Sequence, residues 1–214
     1  MGLASRQASR LLVLGKLLLG LYLAHYSCAF ALDPTLRVTQ YAHSSWRVQD
    51  GAFRGAPSVI TQTKDGYLWI GTDLGLVRFD GVRFVAWSPP PGERLLDPRI
   101  SSLLAARDGS LWIGTGYSIS HWLSGRLINY PQLSGRIEAI AEAADSTVWF
   151  VRTQITDDMG PLCRISNEQF HCYGQPEGIP FPIALKLITG NSGELWIGGY
   201  DELCRWKPQS KGDR

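Results

Sequence analysis

Few residues of this chain are spaced for chemistry. Histidine occurs four times, at His25, His43, His121 and His171. None stands in an H-E-x-x-H or comparable pattern, so no metal centre is expected. Two of the last three fall on expected strands, where a structural or solvent-facing role suits them. No glycine-rich phosphate loop and no paired metal carboxylates occur, which excludes kinase or nucleotide chemistry from these residues. There is no nucleophile elbow either, and a Ser-His-Asp triad would have to assemble in space. The expectation is no catalytic residue, no metal ligand and no cofactor.

The cysteines say more. Cys163 and Cys172 flank Arg164 to His171. If Asn167-Glu168 forms a two-residue turn, then 166 pairs with 169, 165 with 170, 164 with 171 and 163 with 172. That places the two cysteines opposite each other at a non-hydrogen-bonded position, where Cα atoms lie about 4.5 Å apart, at the short end of disulfide geometry. A disulfide is expected there if the chain is exported. Cys204 would oppose Asp213 and is left over, a small apolar side chain.

Turn-rich β structure is the element type that must position these residues. Glycine occurs 23 times and proline 12 times, which favours strands and turns over a helical bundle. The 214 residues are 44% apolar, 11% aromatic and 19% charged, values that suit one globular domain and exclude a collagen-like or wholly disordered chain. Residues 1–31 read as a signal peptide. Arg6 and Arg10 open it, a leucine-rich run from Leu11 to Leu23 follows, and Ala29-Phe30-Ala31 offers the small residues of a cleavage site. The run is short for a membrane span and is interrupted by Lys16. Without this segment the charge balance is 18 basic against 19 acidic residues, so nothing in it attracts nucleic acid. An exported, periplasmic chain is expected.

The remainder is a repeat. Asp65-Gly66-Tyr67-Leu68-Trp69-Ile70-Gly71-Thr72 recurs as Asp108-Gly109-Ser110-Leu111-Trp112-Ile113-Gly114-Thr115. Weaker copies are Asp145-Ser146-Thr147-Val148-Trp149-Phe150-Val151 and Ser192-Gly193-Glu194-Leu195-Trp196-Ile197-Gly198-Gly199. The tryptophans lie 43, 37 and 47 residues apart. A second motif follows each: Leu76 to Phe79, Ile119 to Trp122, Leu162 to Ile165 and Leu203 to Trp206. It ends ten residues after the tryptophan in three copies and 16 after it in the third, which predicts a longer loop there.

Each copy reads as four short strands. In the first they are Ser58 to Thr63, Tyr67 to Gly71, Leu76 to Phe79 and Val82 to Trp87, with Asp80-Gly81 as a two-residue hairpin signal. Leu-Trp-Ile is apolar at consecutive positions, so both faces of that strand are buried between like sheets. Four-stranded units of about 40 residues, each covered by its neighbours, are the blades of a β-propeller. The fold class is therefore all-β, with about four blades in an incomplete ring. The units are 58–99, 100–136, 137–182 and a partial fourth at 183–214, after a lead-in at 32–57. Arg37 to Tyr41, or Ser45 to Val48, is expected to supply a ring-closing outer strand. Trp69, Trp112, Trp149 and Trp196 are read as repeated core, and Arg78, Arg164 and Arg205 as pairing or stacking between blades. Glycine after Trp-Ile marks a place with no room for a side chain or a positive φ. Val151 at that place predicts a distorted third blade.

Leu-Trp-Ile-Gly-Thr followed by Gly-Leu-Val-Arg-Phe-Asp-Gly at Gly75 to Gly81 resembles the two-component regulator propeller repeat. Ser45 to Gly51 is similar to the segment that opens such sensor domains. The resemblance covers about Val38 to Trp206. It implies the extracytoplasmic, ligand-sensing region of a signalling protein, with a histidine kinase, diguanylate cyclase or regulator as output. It implies a carbohydrate fragment or other small molecule as ligand. On this reading the chain stops before the membrane helix and downstream signalling domains, and its open blade faces allow self-association. The other readings are a secreted polysaccharide lyase or hydrolase and a structural surface propeller. Propellers bind on the face carrying the loops between strands two and three and between blades. Those loops hold Asp73, Tyr117, Arg152, Asp157, Asp158, Phe181, Tyr200 and Asp201. Rings beside acids and an arginine suit a sugar or other polar molecule.

Overall fold

A computed structural model describes residues 44–166 and 168–208. The signal segment and Arg37 to Tyr41 lie outside the described residues. Blade 1 comprises β1 (Pro57–Gln62), β2 (Leu68–Thr72), β3 (Gly75–Phe79) and β4 (Phe84–Ala86). Blade 2 comprises β5 (Ile100–Ala105), β6 (Leu111–Thr115), β7 (Ile119–Leu123) and β8 (Arg126–Asn129). Blade 3 comprises β9 (Arg136–Glu142), β10 (Val148–Thr153), β11 (Leu162–Ser166) and β12 (Gln169–Tyr173). A fourth sheet holds β13 (Lys186–Thr189), β14 (Leu195–Gly198) and β15 (Leu203–Trp206). Every sheet is an antiparallel meander whose strands pair in chain order. First strands lie beside first strands, β1 by β5, β5 by β9 and β9 by β13. That is blade packing, with the first strand of each blade innermost.

Three of the four repeat tryptophans share a buried cluster with residues of the next blade. Trp69 meets Leu103, Leu111 and Ile113. Trp112 meets Val148, Phe150 and Ile165. Trp149 meets Leu187, Leu195 and Ile197. The three rings are buried, and each removes enough apolar surface from water to contribute about 4–6 kcal/mol before entropy is counted. Trp196, on the outer face of the fourth sheet, is only partly buried. Polar stitches join the inner strands: Ser58 Oγ donates to Ile100 O at 2.7 Å and Ser101 Oγ to Ile137 O at 2.6 Å. Ser58 and Ser101 sit where the register of β1 and β5 shifts, which turns their side chains toward the next blade.

The motif glycines are there for closeness. A Cβ on Gly71 would stand 2.5 Å from Ile100 Cγ2, and one on Gly114 would stand 2.8 Å from Ile137 Cβ. Both neighbours belong to the first strand of the following blade. In blade 3 the third strand-two partner set differs. Val151 pairs with Ala139, and the residue equivalent to Ile100 and Ile137 is Ala184, two before the Lys186 that pairs with Gly198. Val151 and Ala184 are both fully buried in one cluster. The volume has moved from one side of the interface to the other, so the expected distortion does not occur: β10 is six residues long and buried throughout.

Three other expectations are corrected. Ser45 to Val48 forms no strand; Val48–Asp50 is a single 3-10 turn ended by Gly51 at φ +74°. Strand four of blade 1 begins at Phe84, because the Asp80 carboxylate accepts the N–H groups of Val82 (2.9 Å) and Arg83 (2.7 Å) and draws them into the turn. Arg78, Arg164 and Arg205 stack within their own blades, over Tyr67, Tyr173 and Trp196.

Candidate functional site

The long loop of blade 3 builds an open cleft on the face where ligands were expected. Gln154–Pro161 joins β10 to β11, and Gly174–Leu185 links blade 3 to the fourth sheet. Between them is an open cleft of about 940 Å³. Gln154, Asp158, Gln175 and Glu177 supply its polar wall, and Ile155, Pro176, Pro180 and Phe181 its apolar one.

Arg152 and Asp157 hold the loop in shape. Arg152 is 0% exposed. Its Nη1 and Nη2 each donate to an Asp157 oxygen at 2.7 Å. Its remaining donors go to Ser134 O (2.8 Å), Met159 O (2.9 Å) and Gly160 O (3.2 Å). Asp157 also accepts from Ser134 Oγ (2.5 Å) and the Met159 N–H (2.9 Å). The Arg152 guanidinium, with these donors, holds the Asp157 carboxyl far below the usual carboxylate range against the opposing effect of burial. With every N–H engaged, Arg152 has no donor for a ligand, and its expected role as a contact gives way to that of a clasp. The loop has no regular strand partners, so this one buried, bidentate pair takes the place of a ladder.

The other candidate residues converge only in part. Asp157 and Asp158 line the cleft, with Phe181 at its base. Asp73 accepts the Ala56 N–H at 2.7 Å and pins the lead-in to the first blade. Tyr117 is 61% exposed, with the Arg99 guanidinium 5.0 Å from its ring centre. Tyr200 is 78% exposed, and Asp201 is exposed beside it. Each stands on the strand-two to strand-three loop of its own blade. Sequence reasoning passed over Gln154, Gln175 and Glu177. Glu177 accepts the Gly174 N–H at 2.8 Å and closes a one-turn 3-10 helix at Gln175–Glu177. Gly174-Gln175-Pro176-Glu177 was the available signal, a proline inside a short turn framed by glycines.

Cys163 and Cys172 are joined by a disulfide across the paired positions of β11 and β12, and Cys172 borders the cleft. Cys204 is free and partly buried, and burial raises its thiol pKa. Among the described residues no group of three or more His, Cys, Asp or Glu is placed to hold a metal ion.

Residues 94–117 match the family model of the two component regulator propeller. The chain carries a two-component regulator propeller repeat. That match runs from the inter-blade loop before β5 through β6 to Tyr117. The extracellular domain of BT4673 from B. thetaiotaomicron superposes with a TM-score of 0.59 at 21% identity, over 74% of this chain and 21% of that one. The extracellular domain of BT3049 from the same organism gives 0.56 at 20% identity, over 66% and 20%. Virginiamycin B lyase from Staphylococcus aureus gives 0.53 at 17% identity, over 71% and 55%. The chain thus spans about a fifth of the first two, and at these identities the shared property is the propeller fold. No curated protein sequence matches the chain.

Proposed function

We propose that these blades are the ligand-binding part of an exported sensor, and that a polar small molecule or oligosaccharide binds in the cleft between the Gln154–Pro161 loop and the link to the fourth sheet. The observation that carries this reading is the clasp of Arg152 on Asp157, which fixes a long loop as the wall of an open cleft. The repeat match and the likeness to extracellular domains assigned to one and two component systems support the sensor class. Exchangeable amide and carboxylate groups opposite proline and phenylalanine surfaces suit a hydroxylated ligand with one apolar face. Binding would alter the angle between blade 3 and the fourth sheet, or association between copies through the outer faces, where Ile60 and Ile188 are exposed.

Catalysis fits the cleft poorly. Asp157 is committed to Arg152 and stays ionised, Glu177 is bound to the Gly174 N–H, and no histidine is among the lining residues. Two of the cleft's carboxylates are thus spent on the loop and the 3-10 turn rather than left as acids or bases for a bound substrate. The test is calorimetric titration of the chain with a panel of defined oligosaccharides, in the wild type and in Asp158→Ala and Gln175→Ala. Binding that weakens at least tenfold in both variants is the expected result. A panel that never binds, or binding indifferent to both substitutions, overturns the reading.

A further inference from the structure

Each blade has two unlike faces. The forward face carries the repeat tryptophan and the third-strand residue paired with the motif glycine or with Val151. Both are buried in the cluster shared with the next blade: Trp69 with Leu76, Trp112 with Ile119 and Trp149 with Leu162. The backward face receives them on two residues of the second strand and one of the first. These are Leu111, Ile113 and Leu103 in blade 2, and Leu195, Ile197 and Leu187 in the fourth sheet, all buried. The same join is thus made three times within one chain.

One face of each kind is left over among the described residues. The fourth sheet presents a forward face. Trp196 is only partly buried, and Leu203, the partner of Gly198, is 70% exposed, with Ile188 exposed beside Trp196. Gly71 and Gly114 have the first strand of the next blade over them, whereas a Cβ on Gly198 would meet only Lys186 of its own sheet. Blade 1 presents a backward face. The register of β1 on β2 makes Ile60, Leu68 and Ile70 the counterparts of Leu103, Leu111 and Ile113. Ile60 is 62% exposed and Leu68 half-buried, and with Ile70 they line an open groove of about 440 Å³. Trp46 and Phe53 wall that groove by packing on Phe79 and Phe84, with ring centres 5.3–5.6 Å apart. The other three joins state what covers such a place, namely the forward face of a blade.

We propose that the forward face of the fourth sheet docks on the backward face of blade 1 in a second copy of this chain. Trp196 and Leu203 enter the groove over Ile60, Leu68 and Ile70. Pro57 of that copy, the register counterpart of Ile100, stands over Gly198 as Ile100 stands over Gly71. Both faces are open in the single chain, so its four sheets do not close on themselves. Unlike faces joined head to tail either close a ring or run on as a filament. Two copies bring eight sheets, the upper end of closed propellers, so closure at two copies is the expected assembly. Neither face holds a residue of the cleft, so this pairing and ligand binding in the cleft can fail separately.

The test is sedimentation velocity of the purified chain at about 1–100 μM, since an interface of ordinary size holds at micromolar concentration or below. A species of twice the monomer mass is expected. Ile60→Asp removes the receiving face and Leu203→Asp the entering one. Both positions are exposed in the single copy, so each variant should fold, which a melting curve at the dilute end checks; Ile188→Asp is a second variant of the entering face. In a closed pair each substitution spoils both joins, so each variant alone should associate at least about thirtyfold more weakly, the loss of one central residue. An equal mixture of Ile60→Asp and Leu203→Asp retains one intact join and should form pairs again at the concentrated end. An isologous pair would not behave this way, because one of the two variants would pair alone and mixing would restore nothing. A monomer at every concentration, a wild type that grows beyond two copies, pairing that survives either substitution, or a mixture that stays monomeric overturns the proposal.

Discussion

Volume exchange at the blade interface makes a sharp prediction. Blades 1 and 2 place glycine on the second strand and isoleucine on the facing first strand, Gly71 with Ile100 and Gly114 with Ile137. Blade 3 places Val151 in one buried cluster with Ala184, which lies in the link just before the fourth sheet. Ala184→Ile with Val151→Gly would convert that interface to the pattern of the other two, moving three carbons across it without changing their number. Ala184→Ile alone overfills a fully buried site and should cost about 1–3 kcal/mol. Val151→Gly alone empties one and adds the glycine entropy of a strand interior, so about 3–5 kcal/mol is expected. The double variant retains the entropy cost but removes both the clash and the void, and should lose only about 1–2 kcal/mol. Urea unfolding of the four proteins closes the cycle. A coupling below about 0.5 kcal/mol, the range found for independent sites, would refute the claim that the two positions share one volume.

Further outcomes are expected from the clasp and the disulfide. Asp157→Asn leaves the buried Arg152 guanidinium without its counter-charge and should destabilise the chain by about 3–5 kcal/mol in urea unfolding, whereas a value under about 1 kcal/mol would show the clasp to be dispensable. Because the folded-state pKa of Asp157 is depressed below its ordinary 3.8, its stabilising effect is fully present above that value and is lost as pH falls below it. Acid titration of the wild type and Asp157→Asn should therefore give stability curves that stay parallel from neutral pH to about pH 4 and converge only below it. Replacing Cys163 and Cys172 together by alanine opens a loop with a sequence separation of 9 and should lower stability by about 2–3 kcal/mol on the chain-entropy account, read as a drop in melting temperature that reducing agent reproduces in the wild type.

How much of this was legible beforehand depends on the range over which each feature is decided. The spacing of the tryptophans and the turn glycines are local, and they determine four antiparallel sheets of short strands without reference to anything distant. The facing of Cys163 and Cys172 is equally local, because a tight turn between β11 and β12 sets the register for every pair above it. Other features depend on what a second segment brings. Arg152 carries the residue type of a ligand contact, yet burial against Ser134, Asp157 and Gly160 consumes all its donors, and only the path of the 154–161 loop decides that. Val151 looks like a defect until Ala184, 33 residues on, is seen to have made room for it. His121 looks like an ordinary strand residue, and only packing in three dimensions lays its ring flat on Trp112 and leaves Nε2 buried and unpartnered. Sequence alone sets the repeat, the strand register and the element types, since those follow from neighbours along the chain. The tertiary structure decides which polar groups are spent on the fold and which are left for a ligand, because that depends on surfaces supplied by the next blade.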